Sequence, residues 1–214
     1  WFQINNLFVL SSTNKVSRQS FSVMSYNVMQ FFSKSDTKAT TVDSIKAFIQ
    51  GEKPSILCLQ EFKKTDDNSF KNYKYKAFDV GKAKLQSAIF SHYKIVNSKY
   101  FDFENSGNSA VFADVIINLD TVRVFSAHFQ SLNLKPNLKT IQEEPKERLI
   151  KRLENVFKQQ LNQFDLIEND IKNSPYPVVF CADLNNTALS YLYRKLINLN
   201  LKDTFLESGQ FYGK

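Results

Sequence analysis

The sequence predicts an α/β fold, a layered sandwich of largely mixed or antiparallel sheets, and three observations carry that prediction. Short apolar runs end abruptly in polar residues: "FSVMSYN" (21–27), "SILCLQEF" (55–62) and "PVVFCADLNN" (177–186). Between them lie stretches whose apolar residues follow helical spacing. The middle of the chain is a succession of alternating runs of the kind that pair as hairpins.

Taken in order, residues 1–20 read as an N-terminal extension or linker and residues 21–214 as one domain. The first strand is placed at 21–26. A helix over 39–50 follows, because Val42, Ile45, Phe48 and Ile49 recur at helical spacing and Gly51 and Pro54 close it. The second strand occupies 55–60. From about 75 to 128 the pattern is that of strands, "YKYKAFDV", "SAIFS", "YKIVNSKYFDF" and "SAVFADVIINLDTVRVFSAHF", the last doubling back at Asn118-Leu119-Asp120. A long helix spans 145–172. Pro145 suits its first turn, and Leu149, Leu153, Val156, Phe157, Leu161, Phe164 and Ile171 form a stripe expected to pack. "NSPYP" ends it, the third strand covers 177–182, and a short helix over 188–198 leads into "LKDTF".

Composition sets the outer limits. A chain of 214 residues with 43% hydrophobic content buries a substantial core as a single domain, and five glycines, five prolines and no repeat exclude a disordered or solenoid chain. The net charge of +7 suits anionic partners, yet the lysines are scattered and read as a solvated surface. Cys58 and Cys181 lie inside apolar runs and read as small buried hydrophobes rather than a disulfide framework. No apolar run is long enough to span a bilayer, so a soluble domain is expected, its compartment left open. Because the chain begins with Trp1, the expectation is a portion of a longer product, released from an N-terminal anchor or signal.

Buried carboxylates and carboxamides are costly unless paired or liganded, so polar residues repeated at the ends of apolar strands imply ends that converge on one rim. Asn27, Glu61, Asp183 and Asn185 make that rim a hard-oxygen environment, suited to magnesium, with manganese as substitute. Any one of them alone reads as a turn cap; the set implies a site. His128, in "SAHFQS", follows an alternating strand and titrates near neutrality, so it is the candidate proton donor. His92, in "SHYKIV", reads as a surface residue.

The ordered series "VMSYNV", "ILCLQEF", "SAIFSHYKIV", "VRVFSAHFQSL" and "VVFCADLNNTALSY" resembles the endonuclease/exonuclease/phosphatase superfamily, the DNase I-like group, from Phe21 onward. The texture of "SPYPVVFCADLNNTALSYLYRKL" is closest to bacterial members of unassigned substrate. The resemblance implies a four-layered α/β sandwich, with two mostly antiparallel or mixed sheets flanked by helices. It implies Glu61 as direct metal ligand and Asn27 beside the metal or on the phosphate. Asp183 matches the aspartate that orients or deprotonates the attacking water, Asn185 the asparagine on the scissile phosphate, and His128 a histidine assisting phosphate or leaving group. Gln130, Ser131 and Arg148 stand where they could line the cleft.

The chain also departs from the family pattern. Leu184 replaces the usual Phe, and the sequence stops at Lys214, before the strands that carry the family's later Asp-His pair, so a C-terminal truncation is expected. Two functions of different class follow: a magnesium-dependent phosphoester hydrolase (phosphodiesterase, nuclease or phosphatase), and a catalytically impaired phosphate-binding module that retains the fold. The expected partner is a phosphate ester, nucleic acid or a phospholipid headgroup included. Nothing suggests a protein partner, and a monomer is expected. The loops "KKTDDNSFKNYKYK" and "NLKPNLKTIQEEPKE" carry no substrate signature.

Overall fold

The computed structural model describes residues 20–31, 38–79, 85–104, 106–132 and 145–208, so most of the N-terminal extension, most of the second of those loops and the last six residues lie outside it. The chain divides into two compact units. One comprises residues 21–130 with 173–184, the other the remaining residues.

The first unit holds both sheets. Strands β1 (Val23–Asn27), β2 (Ile56–Phe62), β3 (Tyr75–Ala77) and β4 (Gln86–Ser91) form one sheet in the order β1-β2-β4-β3. Strands β5 (Ile95–Asp102), β6 (Ser109–Ile117), β7 (Asp120–His128) and β8 (Val178–Asp183) form the other in that order. Each sheet is mixed. β1 runs parallel to β2, and β7 parallel to β8, while every other pairing is antiparallel. The expected fold class is therefore what the chain adopts.

Alternation along each strand builds the layers, since successive side chains point to opposite faces. On β2, Leu57 and Leu59 face one way, packing with Val28, Phe31, Ile49 and Phe90 and with Val42 and Ile45 of helix α1 (Lys38–Glu52). Ile56 and Cys58 face the other way, into a layer shared with Val111, Ala113, Val115, Val122 and Val124 of the second sheet. The far face of that second sheet carries Phe112, Phe125 and Phe180 in ring contact. Among them Arg123 grips Asp114 directly across the β6–β7 ladder, Nε to Oδ1 at 2.7 Å and Nη2 to Oδ2 at 2.8 Å, with its guanidinium 4.0 Å over the Phe112 ring.

Local departures from the sequence reading have simple causes. Asp120 belongs to β7, opposite Ile117, so the hairpin turns on Asn118-Leu119 alone, with Asn118 at φ 58°. Asparagine tolerates that left-handed backbone better than most residues. Phe48 is about half exposed and meets Tyr26 edge-on at 5.9 Å instead of entering the core.

In the second unit, helix α2 (Lys146–Lys172) has the expected limits, but its stripe differs. Phe157 is exposed at 41%, while Gln160 and Gln163 are buried with Phe164, Ile167 and Ile171. Helix α3 (Tyr191–Asn198) starts at Ser190, whose hydroxyl accepts the Tyr193 N–H, a standard N-cap. Lys195 of α3 reaches Asp165 and Glu168 of α2 at 3.0 and 3.2 Å. Helix α4 (Thr204–Ser208) follows, its first turn capped by Asp203, which also accepts the Tyr193 hydroxyl.

Candidate functional site

In a parallel pair the two carboxyl ends lie side by side; in an antiparallel pair they lie at opposite edges. This sandwich has one parallel pair per sheet, and those four strands end in Asn27 (β1), Glu61 with Phe62 (β2), His128 (β7) and Asp183 (β8). The register sets Asn27 against Gln60 and His128 against Asp183.

Alternation alone places Asn27, His128 and Asp183 toward the space between the sheets, on the same side as Val23, Val124 and Val179. Glu61 has the opposite parity and belongs with Leu57 and Leu59 on the far face. A bulge corrects this. Pairing between β2 and β4 shifts between Leu59 and Phe62, and Glu61 takes a left-handed φ of 52° within the shift. An extra residue of this kind bends the strand and re-aims its side chain. In a non-glycine residue it costs about 1–2 kcal/mol, offset by the rest of the fold.

The result is a compact polar group. The Asn27 amide donates to Glu61 Oε1 at 3.1 Å and to Asp183 Oδ2 at 2.9 Å, so one nitrogen binds carboxylates from both sheets. Its own oxygen accepts the Met29 N–H at 2.9 Å, which fixes the amide orientation. Beyond Asn27 the chain makes an unusual turn, with Met29, Gln30 and Phe31 all left-handed at φ 43°, 55° and 56°. Phe31, fully buried, anchors it. His128 Nε2 stands 3.7 Å from Glu61 Oε1 and 3.9 Å from Asp183 Oδ2. Burial disfavours its charged form and outweighs the pull of the two carboxylates, so its pKa lies below the ordinary 6.5.

The structure thus brings Asn27, Glu61, Asp183 and His128 together. Gln130 sits half-buried two residues past His128. Asn185, half-buried with φ 47°, follows Asp183 by two residues and belongs to the second unit, where its carbonyl receives the Gln160 amide at 3.5 Å. Arg148 is exposed in the first turn of α2, also in the second unit. His92 is exposed as expected, stacked on Tyr73 at 4.3 Å.

One contributor escaped the sequence reading. Gln60, 1% exposed, donates through Nε2 to Ser25 Oγ at 3.2 Å and Ser126 Oγ at 3.1 Å. The available signal was a lone amide at an inward position of an otherwise apolar strand.

Among the described residues no group of three or more His, Cys, Asp or Glu forms a metal-binding cluster. Two carboxylates and an amide do converge, and magnesium needs only one or two carboxylates, keeping water in its other positions. The donor set fits a hard divalent cation.

A profile of the Endonuclease/Exonuclease/phosphatase family matches residues 24–213. Among solved structures, the human Nocturnin catalytic domain with bound sulfate anion is 16% identical with a TM-score of 0.61, the match covering 88% of this chain and 73% of that one. A β-hairpin deletion mutant of the beta toxin of Staphylococcus aureus is 18% identical with a TM-score of 0.61, covering 86% and 74%. TDP2 of D. rerio, complexed with single strand DNA product, is 16% identical with a TM-score of 0.56, covering 84% and 64%. Structures of TDP2 from C. elegans are covered less, over 48%, 47% and 62% of their length. No curated protein matches at a significant level.

Proposed function

The chain belongs to the Endonuclease/Exonuclease/phosphatase family, whose members are phosphoester hydrolases, and from that membership we propose that it hydrolyses a phosphodiester with a divalent cation at the rim. The observation that carries the reading is the single Asn27 amide donating to both Glu61 and Asp183. Two acids held side by side this way present concentrated negative charge to a cation, which in turn attracts the phosphate.

Glu61, with Asn27 alongside, would hold magnesium or manganese, which when bound neutralises phosphate oxygens and stabilises the departing oxygen. The chain's own residues supply the rest. Asp183 accepts a proton from water and aims it in line at phosphorus, so that a new P–O bond forms as the ester P–O bond breaks. Asn27 keeps both carboxylates oriented. His128, whose Nε2 stands 3.9 Å from Asp183, accepts the proton that Asp183 takes from the water and passes it to the leaving oxygen, so the proton count closes within the site. Asn185 is assigned to a non-bridging oxygen on its sequence match, and Gln130 and Arg148 to the substrate on their places in the chain, just past His128 and at the start of the long helix. The net charge of +7 and the DNA product bound by a TDP2 relative favour nucleic acid, with phospholipid headgroups as the other class.

The test is hydrolysis of plasmid DNA, single-stranded nucleic acid, phosphoinositides, sphingomyelin and small phosphodiesters by the intact gene product, with and without magnesium. Activity on one class that vanishes with chelator and in Glu61→Gln and Asp183→Asn is expected. Undiminished rates in either variant overturn the site; phosphate binding without turnover in the unaltered protein leaves a binding module instead.

A further inference from the structure

The layer between the two sheets is apolar along most of its depth, from Ile56 and Val124 to Val115 and Ile117. It turns polar at the level just beneath the rim. There Gln60 donates to Ser25 on β1 and Ser126 on β7, and the Ser126 hydroxyl donates to the Leu59 carbonyl at 3.1 Å. Beside it Ser87 of β4 and Ser109 of β6 exchange two bonds of 2.8 Å between the sheets. Gln60, Ser87, Ser109 and Ser126 are 1% exposed or less. Buried amides and hydroxyls add little net stability and cost much when unpaired, so this level serves register more than stability.

Its placement is specific. Ser25 is two residues before Asn27, Gln60 one before Glu61, and Ser126 two before His128. Cys181, opposite Ser126 in register, is two before Asp183. Gln60 is also the last inward residue of β2 before the left-handed turn at Glu61. We infer that Gln60 is a positioning residue, whose buried amide ties β1 to β2 and β2 to β7 at the register where Asn27, Glu61 and His128 meet. The inference rests on the proposed hydrolysis for its functional meaning. The geometry it explains stands independently: without the tie, Glu61 loses the neighbour that fixes its entry into the bulge, and the two sheets lose a buried amide bridge that lies beneath the one made by Asn27.

The experiment compares Gln60→Leu, Ser126→Ala and Ser25→Ala in the intact protein with Val115→Ala, a fully buried change in the same layer at the far end of β6. Three readouts are taken: the rise in Tm on adding magnesium without substrate, kcat and KM, and the NMR resonances of the Asn27 side-chain amide and the His128 imidazole. Gln60→Leu is expected to lose most of the magnesium-induced rise and about tenfold to a hundredfold in kcat, with KM nearly unchanged, and to shift both resonances. Val115→Ala is expected to lower Tm alone. The double variant Gln60→Leu/Ser126→Ala should cost less than its parts combined, because both break one network.

Should Gln60→Leu fail to fold, Ser25→Ala, which alters an exposed residue, decides through the same readouts. If Gln60→Leu or its substitute behaves like Val115→Ala, Gln60 is core filling and the inference falls. If the unaltered protein shows neither magnesium response nor turnover, the hydrolase reading falls, and the two resonances alone decide whether Gln60 positions the group.

Discussion

Replacing Asn27 with leucine keeps the side chain's branched shape and removes the one donor that both carboxylates share. Two hydrogen bonds to charged acceptors are lost, to Glu61 at 3.1 Å and to Asp183 at 2.9 Å. Such bonds are worth about 1.5–3 kcal/mol each when buried. The acceptor side chains are 21% and 31% exposed, so solvent screening holds each to the low end, and the pair is worth about 3 kcal/mol. In a domain of this size that is about 6–12 °C in Tm. Loss of the Met29 N–H bond to Asn27 adds to it, since that bond ties down the left-handed turn. The assay is thermal unfolding by circular dichroism with chelator present, so that no cation masks the two bare acids. A Tm within about 2 °C of wild type refutes the reasoning, because the amide would then hold neither acid.

Further outcomes follow from the same geometry. Arg123→Met leaves Asp114 buried without its two guanidinium bonds and should cost about 3–5 kcal/mol in denaturant unfolding. Burial raises the Asp114 pKa, but the bonds and charge of Arg123, with the Asn97 amide, lower it further and win, so the stability this acid contributes is complete above the ordinary 3.8 and disappears as pH falls through the lower folded value; the stability gap between wild type and Asp114→Asn should close over that acid range. Tyr73 moves the other way, pushed up to about 12 by burial, so its contribution is complete below the ordinary value of 10 and is lost between there and about 12; Tyr73→Phe should flatten alkaline unfolding in that window and cost about 1 kcal/mol through the bond to the Pro54 carbonyl. For His128, burial lowers the folded pKa, so stability declines as pH falls from 6.5 through that lower value, and an NMR titration should find its midpoint below 6.5.

How much of this was legible in the sequence depends on the range of the interaction. The places of β1, β2 and β8, each to within two residues, and both ends of α2 were readable, because apolar runs, Pro145 and "NSPYP" are local signals. That Asn27, Glu61 and Asp183 gather was readable too, since three runs ending in acids or amides needed a common outlet. His128 was read separately, from its own strand and the family resemblance, and Asn185, expected on the same rim, falls in the second unit. What the letters do not carry is direction. By parity Glu61 should point away from the others, and only the bulge against β4, a pairing made with a distant strand, turns it back. Gln60 looked like a strand end for the same reason: its partners lie 35 and 66 residues away. On α2 the stripe placed Phe157 inward and overlooked Gln160 and Gln163, which are buried despite their polarity. Helical spacing identifies a face but not how far along its length that face is covered.

The late arrival of β8 has a consequence for birth on the ribosome. Its parallel mate β7 is finished at His128, yet residues 129–177 must be made before Val178 emerges to join it. Closing so long a crossover is slow, and domains assemble from the N-terminus while synthesis proceeds. The nascent chain therefore carries Asn27, Glu61 and His128 through a stage in which Asp183 does not yet exist. The polar group at the rim is incomplete until translation has passed the eighth strand.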